Sequence, residues 1–239
     1  MSPGRRDRLH GMKLYYHPRS PYSHKVMIAL AEKRVAFEPV MIRPDDERLA
    51  KLTPLKKVPL LVLADGWKIP ESTIIIEYLD THFSTGTRLI PADPDQARQT
   101  RFHDRIADLY IAEPLLSLLF KRGDADANHT RIDAMLTGLD EHLGKRAWVM
   151  GDAFTMADCS LIPPLRYARE LHPFDRYKHV SASRSARSRA IVSLWLAMMA
   201  SLRNVRRFWT SITKFTVRPA KKAMPSVMTG VIAMRNGAS

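Results

Sequence analysis

Four short signals fall in a fixed order within the first third of the chain: Ser20-Pro21-Tyr22-Ser23, Lys57-Val58-Pro59, Glu71-Ser72 and Leu89-Ile90-Pro91. Each is weak by itself. Together with the segments between them, they restrict the fold to one that gathers two helix starts and a proline-led strand at one place.

The first signal follows Lys13-Leu14-Tyr15-Tyr16, an apolar aromatic run with the character of a strand. Pro21 suits the first position of a helix, where its missing N–H has no partner to lose. Ser20 then becomes the N-cap, its hydroxyl beside the free amides and the positive dipole end. Val26, Met27, Leu30 and Ala31 continue a helical face that ends near Lys33-Arg34. A hydroxyl placed there can donate to a thiolate, whose pKa falls from about 8.5 by a unit or more in such surroundings. An ordinary N-cap serine gives the same local pattern, so this motif alone does not choose between the two.

Val58-Pro59 opens the run Leu60-Leu61-Val62-Leu63, which has the composition of a buried strand. A proline at strand entry needs no ladder N–H. A cis-proline would instead turn the Val58 N–H and C=O outward to pair with an extended peptide, although only about one X-Pro bond in twenty is cis. Asp65-Gly66 supplies a hairpin turn and Lys68-Ile69-Pro70 a short return strand. Glu71 and Ser72 then precede the apolar helical run Thr73 to Leu79. An acid and a hydroxyl at a helix start offer an acceptor for an ammonium and donors for a carboxylate, the two ends of a γ-glutamyl group. The same residues also make a favourable first turn.

The order strand, SPYS-helix, strand, helix, VP-strand, hairpin, ES-helix resembles the thioredoxin-like domain of cytosolic glutathione transferases. SPYSHKVMIALAEK, LKKVPLL and ESTIIIEYLD are most similar to the serine-type bacterial and plant tau-like classes, and the likeness covers roughly residues 12–178. The resemblance implies an α/β plus all-α protein: an N-terminal thioredoxin-like βαβαββα domain over residues 12–83, a linker over 84–94 and a C-terminal helical bundle over 95–180. It implies that Ser20 activates the glutathione sulfur and that Lys57 binds the glycyl end. Val58 pairs with the cysteinyl backbone beside a structural cis Pro59, and Glu71 and Ser72 hold the γ-glutamyl group. Glutathione is then a co-substrate, the second substrate is a hydrophobic electrophile, and the chain works as a homodimer. One departure stands out. The family often has Asn-Pro-x-Gly-Lys before V-P, whereas this chain has Thr53-Pro54-Leu55-Lys56-Lys57. A second function class shares the fold: a non-catalytic, protein-binding relative of the stringent starvation protein A type, whose S-H-x-V helix Ser23-His24-Lys25-Val26 matches. Retention of Lys57, Glu71 and Ser72 favours the transferase. Ser20 cannot form a mixed disulfide, which disfavours an omega-like thiol transferase.

Composition agrees with a cytoplasmic enzyme of two modest domains: 239 residues, 45% hydrophobic, with one cysteine. A single cysteine allows no intrachain disulfide. Cys159 has the place of a packing residue at N4 of a helix capped by Thr155, facing Phe154 in a hydrophobic staple. The nine histidines show no H-E-x-x-H or comparable spacing, so no metal site is expected. His17 and His24 flank Ser20 and have packing or site-shaping roles.

The second half has helical patterns. Over residues 95–121 the apolar positions Phe102, Ile106, Leu109, Tyr110, Leu116 and Leu119 suit one buried face. Leu109 and Tyr110 are core residues or the wall of a second-substrate cleft. Pro114 is expected to kink or split this helix. Ile132, Met135, Leu136, Leu139 and Leu143 mark a further helix, and Thr155 with Asp158 forms a capping box, a folding element.

From Arg176 onward there are 13 Lys or Arg and no Asp or Glu, so residues 1–175 carry a net charge of only +1 and the chain's +14 sits almost wholly in the tail. A basic arm for nucleic acid or anionic membrane is one reading. The apolar stretch Ile191 to Leu202 is too short to span a bilayer. The stronger reading is an atypical tail, residues 181–239, translated in a shifted frame from near Ala182. The family pattern stops there, and acidic residues vanish while Ser, Arg and Met are enriched. Nucleic-acid or membrane contact through it is not expected. Residues 1–11 form an N-terminal extension without the apolar core of a secretory signal.

Overall fold

The computed structural model describes residues 11–43 and 46–181, all within one compact unit of the chain. The N-terminal extension through residue 10 and the basic tail from residue 182, with the frame change assigned to it, lie outside the described residues.

The first half is a four-stranded sheet with helices. Strand β1 (Lys13–Tyr16) leads to helix α1 (Pro21–Glu32), then to β2 (Glu38–Met41), α2 (Glu47–Leu52), β3 (Leu60–Val62), β4 (Lys68–Pro70) and α3 (Ser72–His82). The strand order is β2-β1-β3-β4, with β1 parallel to β2 and β3 antiparallel to β1 and β4. The parallel β1–β2 pair needs a crossover helix, which α1 supplies. The hairpin between β3 and β4 turns on Asp65-Gly66: Gly66 N–H donates to Leu63 C=O and Trp67 N–H to the Asp65 carboxylate, at 2.9 and 3.0 Å. Gly66 takes φ +83°, a left-handed conformation that glycine adopts without steric cost. Apolar side chains of the strands and of α1 and α3, among them Leu14, Leu60, Leu61, Met27, Ile75 and Ile76, are fully buried and fix the sheet against its helices.

The second half is helical: α4 (Pro94–Ile106), a π-helical segment (Ala107–Ala112), α5 (Glu113–Leu119), α6 (Ala125–Leu143) and α7 (Met156–Leu171). Asp80 ties the connection to α3, accepting the N–H groups of Leu89 and Ile90 and pairing with buried Lys33. Ile111, Leu115, Ile132, Leu136, Leu161, Leu165 and Val180 belong to one core cluster. The capping box forms as the sequence indicates. Asp158 accepts from the Thr155 N–H and hydroxyl and from the Val149 N–H, within 2.9–3.1 Å. Cys159 is buried, and burial pushes its thiol well above the usual range, as suits a packing residue.

One expectation is corrected here. Phe102, Leu109 and Tyr110 do not lie on a buried face; they are 53, 37 and 44% exposed, and Ile106, Leu116 and Leu119 are half-buried. The face that packs inward carries Ala97, Thr100, Asp104, Ala107, Asp108, Ile111 and Leu115, three of them polar. Around Pro114 the expected division appears, with α4 ending at Ile106 and α5 beginning at Glu113, but without a gap in the helical path. The turn ahead of the proline widens instead, and the Glu113 N–H reaches the Asp108 C=O five residues back. That places Pro114 in the first turn of α5, where a missing N–H is tolerated. Among the described residues no helix is long and apolar enough to cross a membrane.

Candidate functional site

Register brings the sequence signals to one end of the sheet. Tyr15 pairs with Leu60, and Leu60 with Pro70. Because β3 opposes both neighbours, the end of β1, the start of β3 and the end of β4 lie side by side. Ser20 follows the first, Val58-Pro59 leads into the second, and Glu71-Ser72 follows the third.

Ser20 is the N-cap of α1, with φ −90° and ψ 113°, and its Oγ accepts the Ser23 N–H at 3.1 Å. That bond uses a lone pair and leaves the hydroxyl proton without an acceptor among the described residues. The cap therefore orients a donor; it does not consume it. The preceding loop is pinned from several sides. His17 N–H donates to the Ser23 hydroxyl at 3.3 Å, and Ser20 N–H to His17 C=O at 3.0 Å. The buried His24 ring meets Pro18 C=O at 2.8 Å, and burial together with the Arg166 charge pushes its pKa down to about 4. His24 is thus neutral and donates from Nε2, holding the loop. The neighbouring phenols are less available to a thiolate. Burial, helped by the Asp108 charge, pushes Tyr22 up to about 12, and its hydroxyl donates to Asp108 C=O at 3.4 Å. Tyr16 is buried and likewise raised.

The Val58–Pro59 peptide is cis. Val58 stands outside the β3 ladder, and neither its N–H nor its C=O has a hydrogen-bonded partner among the described residues. Lys57 is exposed and follows Lys56, which holds φ +50°. Glu71 is exposed at φ +69° and ψ 120°, the N-cap of α3 without a side-chain cap bond. Ser72 is buried as the first residue of α3. Among the described residues no three His, Cys, Asp or Glu side chains gather as a metal site would require.

Comparison with known proteins gives a consistent picture. Residues 14–87 match the family model for the glutathione S-transferase N-terminal domain, and residues 123–189 match that for the C-terminal domain. A probable maleylacetoacetate isomerase of Caenorhabditis elegans is 34% identical over 205 residues, covering 77% of this chain and 91% of that protein. The chain belongs to the glutathione S-transferase family. A probable glutathione S-transferase of Nicotiana tabacum is 33% identical over 142 residues, 58% of this chain and 63% of the relative. The chain thus spans somewhat less than two thirds of the length of the tobacco and Arabidopsis thaliana relatives. Among solved structures, a glutathione S-transferase of Methylobacillus flagellatus with GSH bound has TM-score 0.67 and 27% identity, covering 74% of this chain and 94% of its own. One from Methylobacterium radiotolerans, in complex with glutathione sulfonate, has TM-score 0.65 and 28% identity, covering 75 and 92%.

In this member of the glutathione S-transferase family a buried charge cluster lies behind the site, and sequence reasoning missed it. Lys25, on α1, is buried and pairs with Asp104 on α4 and, at 2.9 Å, with Asp108 in the π segment. Its ammonium also donates to Thr73 Oγ1 at 2.9 Å, and that hydroxyl donates to Asp104 at 2.8 Å. Ser160 of α7 donates to Asp104 as well, and Arg105 stands 3.6 Å from Asp108. Burial raises the Asp108 carboxyl while Lys25 opposes the rise. Thr73 is the link to the site, because it adjoins Ser72 in the first turn of α3. The only sequence signal was the spacing of Asp104 and Asp108, which share a helix face with Thr100.

Proposed function

We propose that this chain is a glutathione transferase, in which the Ser20 hydroxyl donates to the sulfur of bound glutathione and holds it as the thiolate. The observation that carries this reading is the Ser20 geometry: a capped oxygen, a free proton, and the start of a twelve-residue helix whose dipole favours an anion. Lys57 then pairs with the glycyl carboxylate, Val58 with the cysteinyl main chain, and Glu71 and the amides at Ser72 with the γ-glutamyl ammonium and carboxylate. The thiol proton passes to solvent. The sulfur lone pair forms a C–S bond at an electrophilic carbon, and the leaving group departs with its bonding pair. The second substrate is a small hydrophobic electrophile, supported by the exposed Leu109, Tyr110 and Phe120 on the segments beside α1.

Retention on glutathione resin, followed by conjugation of an aryl halide, tests the assignment, and Ser20→Ala tests the mechanism. A hydrogen bond to a charged group contributes about 1.5–3 kcal/mol, so the variant should conjugate roughly ten- to a hundredfold more slowly at neutral pH. Its glutathione affinity should change little, because the other four residues carry binding. A folded Ser20→Ala protein working at the parent rate would make Ser20 a cap and nothing more.

Exposed Ile74 on α3 and Phe102 on α4 support a homodimer. Sedimentation of the purified protein should then give twice the 27.2 kDa chain mass, and a monomer would refute it. Cysteine usage, one buried thiol, supports a cytoplasmic location, to be checked by cell fractionation.

A further inference from the structure

Two arginines from distant parts of the chain, one of them the residue before Ser20, converge on one aromatic ring. The guanidinium carbon of Arg19 lies 5.9 Å from the centroid of Phe120, and that of Arg122 lies 5.2 Å from the same centroid. We propose that Arg19, Arg122 and Phe120 form an anion subsite, and that the electrophile accepted here bears a carboxylate. The proposal rests on the transferase reading above and narrows its substrate class.

The backbone under each arginine is fixed, while the side chains are free to meet a ligand. Arg19 N–H donates to the His17 ring at 3.2 Å, and its C=O accepts the Tyr167 hydroxyl of α7 at 3.0 Å. Arg122 N–H donates to Ser117 C=O at 2.8 Å, closing the turn after α5, in which Lys121 takes φ +53°. Both residues are exposed, and Phe120 is an exposed large hydrophobic residue. The ring gathers the two guanidiniums, and a guanidinium fork can take a carboxylate in two hydrogen bonds.

Neither guanidinium is neutralised by a carboxylate of the described residues. Arg48, Arg98, Arg101, Arg105 and Arg176 each approach a carboxylate. Arg19 and Arg122 pair with none among the described residues; they share a ring instead. Asp124, next but one to Arg122, is committed to the Asp126 and Ala127 N–H groups at the start of α6, at 2.8 and 3.1 Å. Glu170, the carboxylate that acts on Tyr167, makes no ion pair with Arg19. Burial pushes the Tyr167 phenol up to about 12, so it adds no negative charge at physiological pH. An anion between the two guanidiniums would be attracted by both, and added salt would screen that attraction.

The test compares matched arenes that differ in one charge. Calorimetric titration of the full chain with 4-nitrobenzoate and with neutral 4-nitrobenzamide reads the subsite without any turnover. The carboxylate should bind about tenfold more tightly in low salt, the preference should shrink in 0.5 M salt, and it should vanish in the Arg19→Ala/Arg122→Ala double variant. Conjugation of 4-chloro-3,5-dinitrobenzoate against 1-chloro-2,4-dinitrobenzene should show the same selectivity ratio in kcat/KM, lost in the same variant. A thermal melt confirms that the variant is folded. Equal affinities for the two nitroarenes in the parent protein, or a preference that survives removal of both arginines, overturns the proposal. Failure to turn over either halide overturns the transferase reading instead and leaves the titration to decide the subsite.

Discussion

Glu71 holds a backbone conformation, φ +69° and ψ 120°, that a residue with a Cβ rarely adopts. Such a conformation costs on the order of 1–3 kcal/mol and persists only where the surroundings enforce it. Here it places an exposed carboxylate at the start of α3 beside the end of β4. Glu71→Gly should therefore separate stability from binding. Glycine relieves the strain but loses more backbone freedom on folding, about 0.5–1 kcal/mol, so urea unfolding should show equal or modestly higher stability. Glutathione affinity, measured by titration, should fall roughly ten- to a hundredfold if the carboxylate meets the γ-glutamyl ammonium. Unchanged affinity would remove Glu71 from the binding set and leave its strain unexplained. Lys56 is the companion case. Its φ of +50° accounts for the glycine that the family often has there, and for why the departure at Lys56 could be recognised from the sequence alone.

At the scale of elements, the legible parts were those specified by neighbours in the chain. Pro21 after Ser20 announced α1, Asp65-Gly66 announced the β3–β4 hairpin, and Thr155 with Asp158 announced α7. Each signal acts across three or four residues, so no distant partner can override it. The helix over 94–119 was misread in its inward face for the opposite reason. Its apolar side chains point outward at Phe102, Leu109 and Tyr110, and its inner face carries Thr100, Asp104 and Asp108. Hydrophobic counting assigns aspartates to solvent, and their burial is compensated by Lys25, some eighty residues earlier, together with the Thr73 and Ser160 hydroxyls. The π turn escaped notice because i→i+5 bonding leaves no compositional mark, whereas proline has a well-known tendency to break helices. It sits where the Tyr22 hydroxyl meets Asp108 C=O, beside the helix that begins at Ser20. The residues proposed for the site stand in recognisable motifs. The Arg19–Phe120–Arg122 cluster does not, since its members are a hundred residues apart.

At the scale of the molecule, the Lys25 cluster joins the thioredoxin-like half to the helical half. α1 contributes Lys25 and α3 contributes Thr73; α4, the π segment and α7 contribute Asp104, Asp108 and Ser160. With Arg105 at its edge the cluster has two cations and two carboxylates, so its formal charges cancel. Removing one buried partner from such a set leaves an uncompensated charge, which costs about 3–5 kcal/mol. Lys25→Met fits the volume of the aliphatic stem and deletes only the ammonium, so urea unfolding should show a loss of that size. Because Thr73 adjoins Ser72, glutathione affinity should weaken in the same variant although Lys25 touches no part of the proposed site. Adding Asp104→Asn should restore part of the stability, since a buried ionic group can be replaced once its partner is also neutral. A loss below about 1 kcal/mol in Lys25→Met, with no recovery in the double variant, would mean that water reaches the aspartates and that apolar packing alone joins the two halves.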